Sequence, residues 1–148
     1  MATSRASIKT SPTVEELNEY SLQLMWTLRQ ESFRAFEPLG FRPVRALLLE
    51  LIGRGYVYPK QLADMLDTVP SAISAMLGEL EERGLVAREI DTNDRRRVQL
   101  KLTDEGQETR KTLKNAWRDT SFSRLKQLEE DELETLLEIY RKILDPMA

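Results

Sequence analysis

Residues 60–84 read KQLADMLDTVPSAISAMLGELEERG, and residues 85–106 continue LVAREIDTNDRRRVQLKLTDEG. Apolar residues in the first part recur at helical spacing; past Gly84 they alternate. Pro59 starts a short helix over 60–66, Asp67 and Thr68 make a turn, and Pro70 opens a second helix that runs to about Arg83. Gly84 stops it. The period then drops from 3.6 to 2. Leu85 to Ile90 form one strand, and Val98, Leu100 and Leu102 alternate with Arg97, Gln99 and Lys101 in a second. The polar loop Asp91–Arg96 joins them as a hairpin. Leu62, Ala63, Leu66, Ile73 and Met76 are the residues such a helix pair has to bury, and the small Ala63 lets the second helix pass close to the first.

Outward from this centre, everything else is helical. Residues 1–12 read as a mobile tail of small and polar residues. Ser11 and Thr13 are helix-start signals, with Pro12 near the first helical position and Glu16 completing a capping box with Thr13. The helix that follows, within 13–40, is apolar over more than one stripe. Val14, Leu17, Leu24 and Leu28 are joined by Leu22, Met25, Trp26, Phe33 and Phe36. So much apolar perimeter calls for a partner subunit as well as the chain's own core. Gly40 ends it. Pro43 opens a short helix to Ile52, and Tyr56, Val57 and Tyr58 suit a brief strand. Beyond the hairpin, Thr103 caps a helix carrying Leu113, Ala116, Trp117, Phe122, Leu125 and Leu128. A last helix begins in the acidic cluster Glu129–Glu132 and carries Leu133, Leu136, Leu137, Tyr140, Ile143 and Leu144.

The fold class is therefore mainly α with a small β hairpin. A helix, tight turn, helix and two-stranded hairpin make a winged helix-turn-helix domain over 41–103, flanked by an N-terminal dimerisation helix (13–40) and C-terminal dimerisation helices (104–148). The chain has 148 residues, 22 Lys and Arg against 25 Asp and Glu, and neither Cys nor His. That excludes disulfides, thiolate nucleophiles, thiol switches, Cys/His zinc sites and His-based triads. The expectation is no enzyme, no metal and no cofactor. No apolar run approaches the roughly 18 residues of a membrane span, so the expected location is cytoplasmic. The net charge of −3 is an average. Residues 83–118 hold ten basic and six acidic side chains, a local +4, whereas residues 119–148 hold four and eight, a local −4. A basic patch beside an acidic remainder suits a DNA-binding subunit with separate dimerisation helices.

Three stretches resemble the MarR (multiple antibiotic resistance regulator) family: Lys60–Ala63, Ser71–Ser74 and Leu80–Arg88. So does the wing, Asp94–Gly106, with its Asp-Arg-Arg, alternating strand and Leu-Thr-x-x-Gly. The resemblance covers about residues 13–146 and implies a homodimeric, DNA-binding transcriptional regulator, usually a repressor relieved by a small aromatic or phenolic ligand. It implies that Ser71, Ala72, Ser74 and Ala75 face double-stranded operator DNA from the recognition helix. Asp94, Arg95, Arg96 and Arg97 then form the wing, with Asp94 paired to Arg96. Two features depart from the pattern. Ala75 stands where an arginine is common, and Gly78, Glu79 and Glu82 on the outer face are poor or repulsive near phosphate. Without cysteine, the family's peroxide-sensing mechanism is excluded.

Plainer readings stand beside these. Ser71 is equally suited to capping its helix. Trp26, Arg29 and Phe33 form a candidate ligand pocket, but aromatic residues at helical spacing are equally core or dimer interface. The competing function is a winged-helix module that docks another protein through its hairpin.

Overall fold

The computed structural model describes residues 11–92 and 94–144. The expected tail thus lies, up to residue 10, outside the described residues, as do Asn93 of the hairpin loop and residues 145–148. Helix α1 spans Pro12–Phe36. Its cap is Ser11, whose hydroxyl accepts from the Val14 N–H at 3.3 Å, so the capping box expected at Thr13 and Glu16 does not form. Pro12 at the first turn wins because it lacks the N–H that would otherwise be orphaned there. The helix does not reach Gly40. It ends at Phe36, and a short 3₁₀ turn, Glu37–Leu39, leads to Gly40 in the left-handed region.

Three short helices follow, α2 (Pro43–Gly53), α3 (Pro59–Met65) and α4 (Pro70–Glu82), each opened by proline. Strands β1 (Val86–Ile90) and β2 (Val98–Leu102) pair antiparallel, with Val86 opposite Leu102 and Ile90 opposite Val98. The brief strand expected at Tyr56–Tyr58 is absent. One bond in its place, from the Leu100 N–H to the Val57 carbonyl at 2.7 Å, tethers the chain to β2. Helix α5 (Asp104–Leu125) then runs back past α1 and α2, and α6 (Glu130–Leu144) closes the chain.

The core lies among the short helices and the hairpin. Leu48, Leu49, Leu62, Ile73, Leu77, Leu80 and Leu100 are fully buried, each worth about 1.5–3 kcal/mol in burial. Leu62, Ala63 and Ile73 are buried as expected, whereas Leu66 and Met76 are half-buried at the edge of this cluster. Between α3 and α4 the turn residue Asp67 has φ 45°. Its short polar side chain tolerates that left-handed conformation better than most non-glycine residues.

The hairpin is joined to α5 by the Leu-Thr-x-x-Gly motif. Leu102 is buried and anchors the strand end. Thr103 caps α5, its hydroxyl accepting from the Gly106 N–H at 3.0 Å and donating to the Gly84 carbonyl at 2.6 Å. The Thr103 N–H donates to the Leu85 carbonyl at 3.1 Å. A Cβ on Gly106 would lie 2.0 Å from that same carbonyl oxygen, so only glycine lets the first turn of α5 approach the Leu85 backbone this closely.

Candidate nucleic-acid interface

The loop at the tip of the hairpin is built from its own polar groups. Asp91 is 3% exposed and is the buried charged residue of the described chain. Its N–H donates to the Arg97 carbonyl at 3.0 Å, closing the loop, and its Oδ1 accepts from the Asp94 N–H at 3.3 Å. Asp94 in turn accepts from the Arg96 backbone N–H at 3.1 Å through Oδ1, and the Arg97 N–H donates to the Asp94 carbonyl at 2.8 Å. The expected Asp94–Arg96 side-chain pair is thus replaced. Asp94 shapes the loop through backbone amides two and three residues on, as short acidic side chains do in turns, and the Arg96 guanidinium is left out of it.

The body of the domain grips this loop through Tyr58. The Tyr58 hydroxyl donates to Asp91 Oδ2, and this bond holds the phenol above its ordinary pKa. The Arg97 guanidinium lies 3.6 Å from the centroid of the Tyr58 ring. The three wing arginines therefore differ. Arg97 is turned back onto Tyr58, whereas Arg95 and Arg96 are exposed and have no ion-pair partner among the described residues. Other basic side chains nearby are locally neutralised: Arg88 pairs with Glu81, and Lys101 with Glu89 across the strands at 3.2 Å. Arg83 covers the Phe41 ring at 3.9 Å and donates to the Gly40 carbonyl at 3.2 Å.

On α4, Ser71, Ser74 and Ala75 are exposed along one face and Ala72 is half-buried. The cap of this helix is Val69, with no side-chain hydrogen bond, so Ser71 does not act as the cap. The same face carries Gly78, where an added Cβ would meet open space. Glu79, expected to repel phosphate, is engaged by Arg45 of α2 through two side-chain hydrogen bonds. Those bonds hold the Glu79 carboxyl below its usual range, so it stays ionised while its charge is offset by the guanidinium. Sequence reasoning missed this partner, as it missed Tyr58 and Asp91. The repulsive carboxylate that remains on the outer face is Glu82.

Of the three residues expected around a ligand, Trp26 lines one groove, whereas Arg29 and Phe33 contact each other. Trp26, 60% exposed, lines a groove on α1 with Tyr20, Gln23 and Gln30. Arg29 instead stacks on Phe33 at 5.6 Å, and Arg42 approaches the same ring at 5.8 Å. A more enclosed cleft of about 420 Å³ lies between α1, α2 and α5. Phe36, Ala46, Leu47, Leu113 and Trp117 form its apolar wall, and Glu50, Arg54, Arg110 and Lys114 its polar rim. Glu50 accepts from Arg54 at 2.7 Å and from Arg110 at 2.9 Å. Gly53 leaves the room that the Arg110 guanidinium occupies.

Helix, turn and helix with a hairpin whose tip carries exposed arginines define a winged helix-turn-helix protein. Residues 46–98 match the MarR family. Over 90 residues, 60% of this chain, it is 32% identical to the HTH-type transcriptional repressor MdtR of Bacillus subtilis. That match spans 58% of MdtR, and a second curated relative is spanned to 54%, so the chain covers under two thirds of the relatives it matches. Similarity to solved structures extends further. The YusO protein from Bacillus subtilis is 27% identical with a TM-score of 0.69, covering 95% of this chain and 100% of that one. Apo wild-type MarR from E. coli is 25% identical with a TM-score of 0.74, covering 86% and 96%. Over its winged core the chain thus matches the MarR family, and its fold is that of the solved MarR structures.

Proposed function

We propose that the chain is a homodimeric DNA-binding transcriptional regulator, a repressor that reads a two-fold operator and is released by a small aromatic anion. The observation that carries the DNA reading is the pair Arg95 and Arg96, exposed at the tip of a pinned loop while the neighbouring cations are neutralised. An α-helix fits the major groove, about 12 Å wide. With α4 there, Ser71 and Ser74 offer hydroxyls to bases or phosphates, and the wing reaches the adjacent minor groove or backbone. Helix α4 carries no Lys, Arg, Asn or Gln, so its own base readout is sparse and the wing supplies much of the affinity. The MdtR likeness supports repression.

For the ligand, the cleft beside Trp117 is favoured over the Trp26 groove because apolar walls meet a cationic rim there. Dimerisation is assigned to α1, α5 and α6. Leu17, Tyr20, Met25 and Trp26 on α1 and Leu137, Tyr140 and Ile143 on α6 are exposed in the single chain, and a second copy covers them.

Fluorescence anisotropy with a labelled duplex from upstream of the chain's own coding region tests the DNA reading. Affinity is expected to fall steeply with salt, each neutralised phosphate adding about −0.9 to the log–log slope. Arg96→Ala is expected to weaken binding by ~1–3 kcal/mol. Absent or salt-independent binding would overturn the proposal in favour of a protein-docking hairpin.

A further inference from the structure

We propose that Tyr58, Asp91 and Arg97 form a latch that positions the wing, and that Arg97 serves the latch and not DNA. Tyr58 belongs to the body of the domain, immediately before α3. Asp91 and Arg97 are the two ends of the loop, bonded to each other through the backbone at 3.0 Å. One tyrosine thus holds both ends, the first through its hydroxyl and the second through its ring face. A bond to a buried carboxylate is among the stronger hydrogen bonds a side chain makes, and an arginine stacked on a ring gives up rotamer freedom that a phosphate contact needs. Between these ends, Asp94 pins the Arg96 and Arg97 amides. The loop backbone is therefore fixed from below and within, and Arg95 and Arg96 leave it in defined directions. Pre-ordering of this kind lowers the entropy lost on binding.

This assignment rests on the DNA-binding reading, and its test separates the two. Tyr58→Phe removes only the hydroxyl and leaves net charge and ring unchanged. On the labelled duplex it is expected to weaken binding about tenfold with the wing intact. In an Arg95→Ala/Arg96→Ala background it is expected to add nothing, since a latch acts only through the arginines it aims. Equal losses in both backgrounds, or no loss in the intact wing, would overturn the latch. In the free protein, amide exchange at Asp94, Arg96 and Arg97 is expected to quicken in Tyr58→Phe, and unchanged exchange would also overturn it. Arg97→Met, which keeps an apolar stem against the ring, gives the same test should Tyr58→Phe fold poorly. It is expected to lower affinity only when Arg95 and Arg96 are present; a loss in their absence would make Arg97 a direct contact. A parent chain without salt-dependent binding would instead overturn the DNA reading itself, and the latch with it.

Discussion

Gly106 occupies a site where a side chain and a carbonyl oxygen compete for one space. Its absent Cβ would lie 2.0 Å from the Leu85 oxygen, a backbone atom that cannot swing aside. Gly106→Ala therefore has to separate α5 from the Leu85 backbone and loosen the Thr103 cap. The expected cost is at least that of an overpacked core, ~1–3 kcal/mol, seen as a lowered Tm in a circular-dichroism melt. A parent-like Tm would show that the junction yields easily. The sequence made Thr103 legible as a cap, because capping is local. It did not make the demand on Gly106 legible, because the oxygen belongs to a residue in another element. Asp91 was hidden in the same way: it reads as one more polar loop residue, and its burial depends on Tyr58, 33 positions earlier.

Helices α2 and α5 meet through a charge cluster set over the core. Burial alone would raise the Glu50 carboxyl, but hydrogen bonds from Arg110 and Arg54 outweigh it and hold the group below its ordinary value of 4.5. A depressed carboxylate contributes stability that is fully present above the unfolded value and is lost as pH falls through the folded one. Thermal stability is thus expected to drop on acidification below about pH 4.5, with Glu50→Gln showing a shallower dependence over that window. Identical pH profiles for parent and variant would remove Glu50 from the account. A second α2 contact, Arg45 with Glu79, turns an unfavourable feature of α4 into a joint between helices. The amphipathic pattern placed both helices well, since periodicity reports which face is buried. It is silent on pairs 34 residues apart, and so the partner of Glu79 is invisible to it.

At the scale of the molecule, the described chain leaves α6 without a buried residue, and Ile143 and Leu144 are 65% and 80% exposed. Isolated apolar faces of this extent are costly in water, and the second copy proposed above would remove the cost. For the proposed dimer, Leu137→Asp with Ile143→Asp is expected to give monomer or aggregate where the parent gives a dimer mass in light scattering after size exclusion. An unchanged dimer mass would move the interface elsewhere. The exposed apolar faces of α1 and α6 were legible because those helices are too apolar for one small domain to cover. The cleft beside Trp117 was not, because it is assembled from three helices that only the fold brings together.

The junction at Gly106 also bears on how the proposed dimer would move. Leu85 at the end of the α4–β1 turn and the first turn of α5 are in backbone contact, so the winged domain rides on α5 as a lamp head rides on a stiff arm. That close contact resists bending at the joint, so in the proposed dimer the freedom left to a ligand or a mutation would be the swing of one whole arm against the other. Half-sites on DNA repeat at about 34 Å. In the proposed dimer the quantity that decides between DNA-bound and free would then be a span between two heads, which the shape of either head alone does not set.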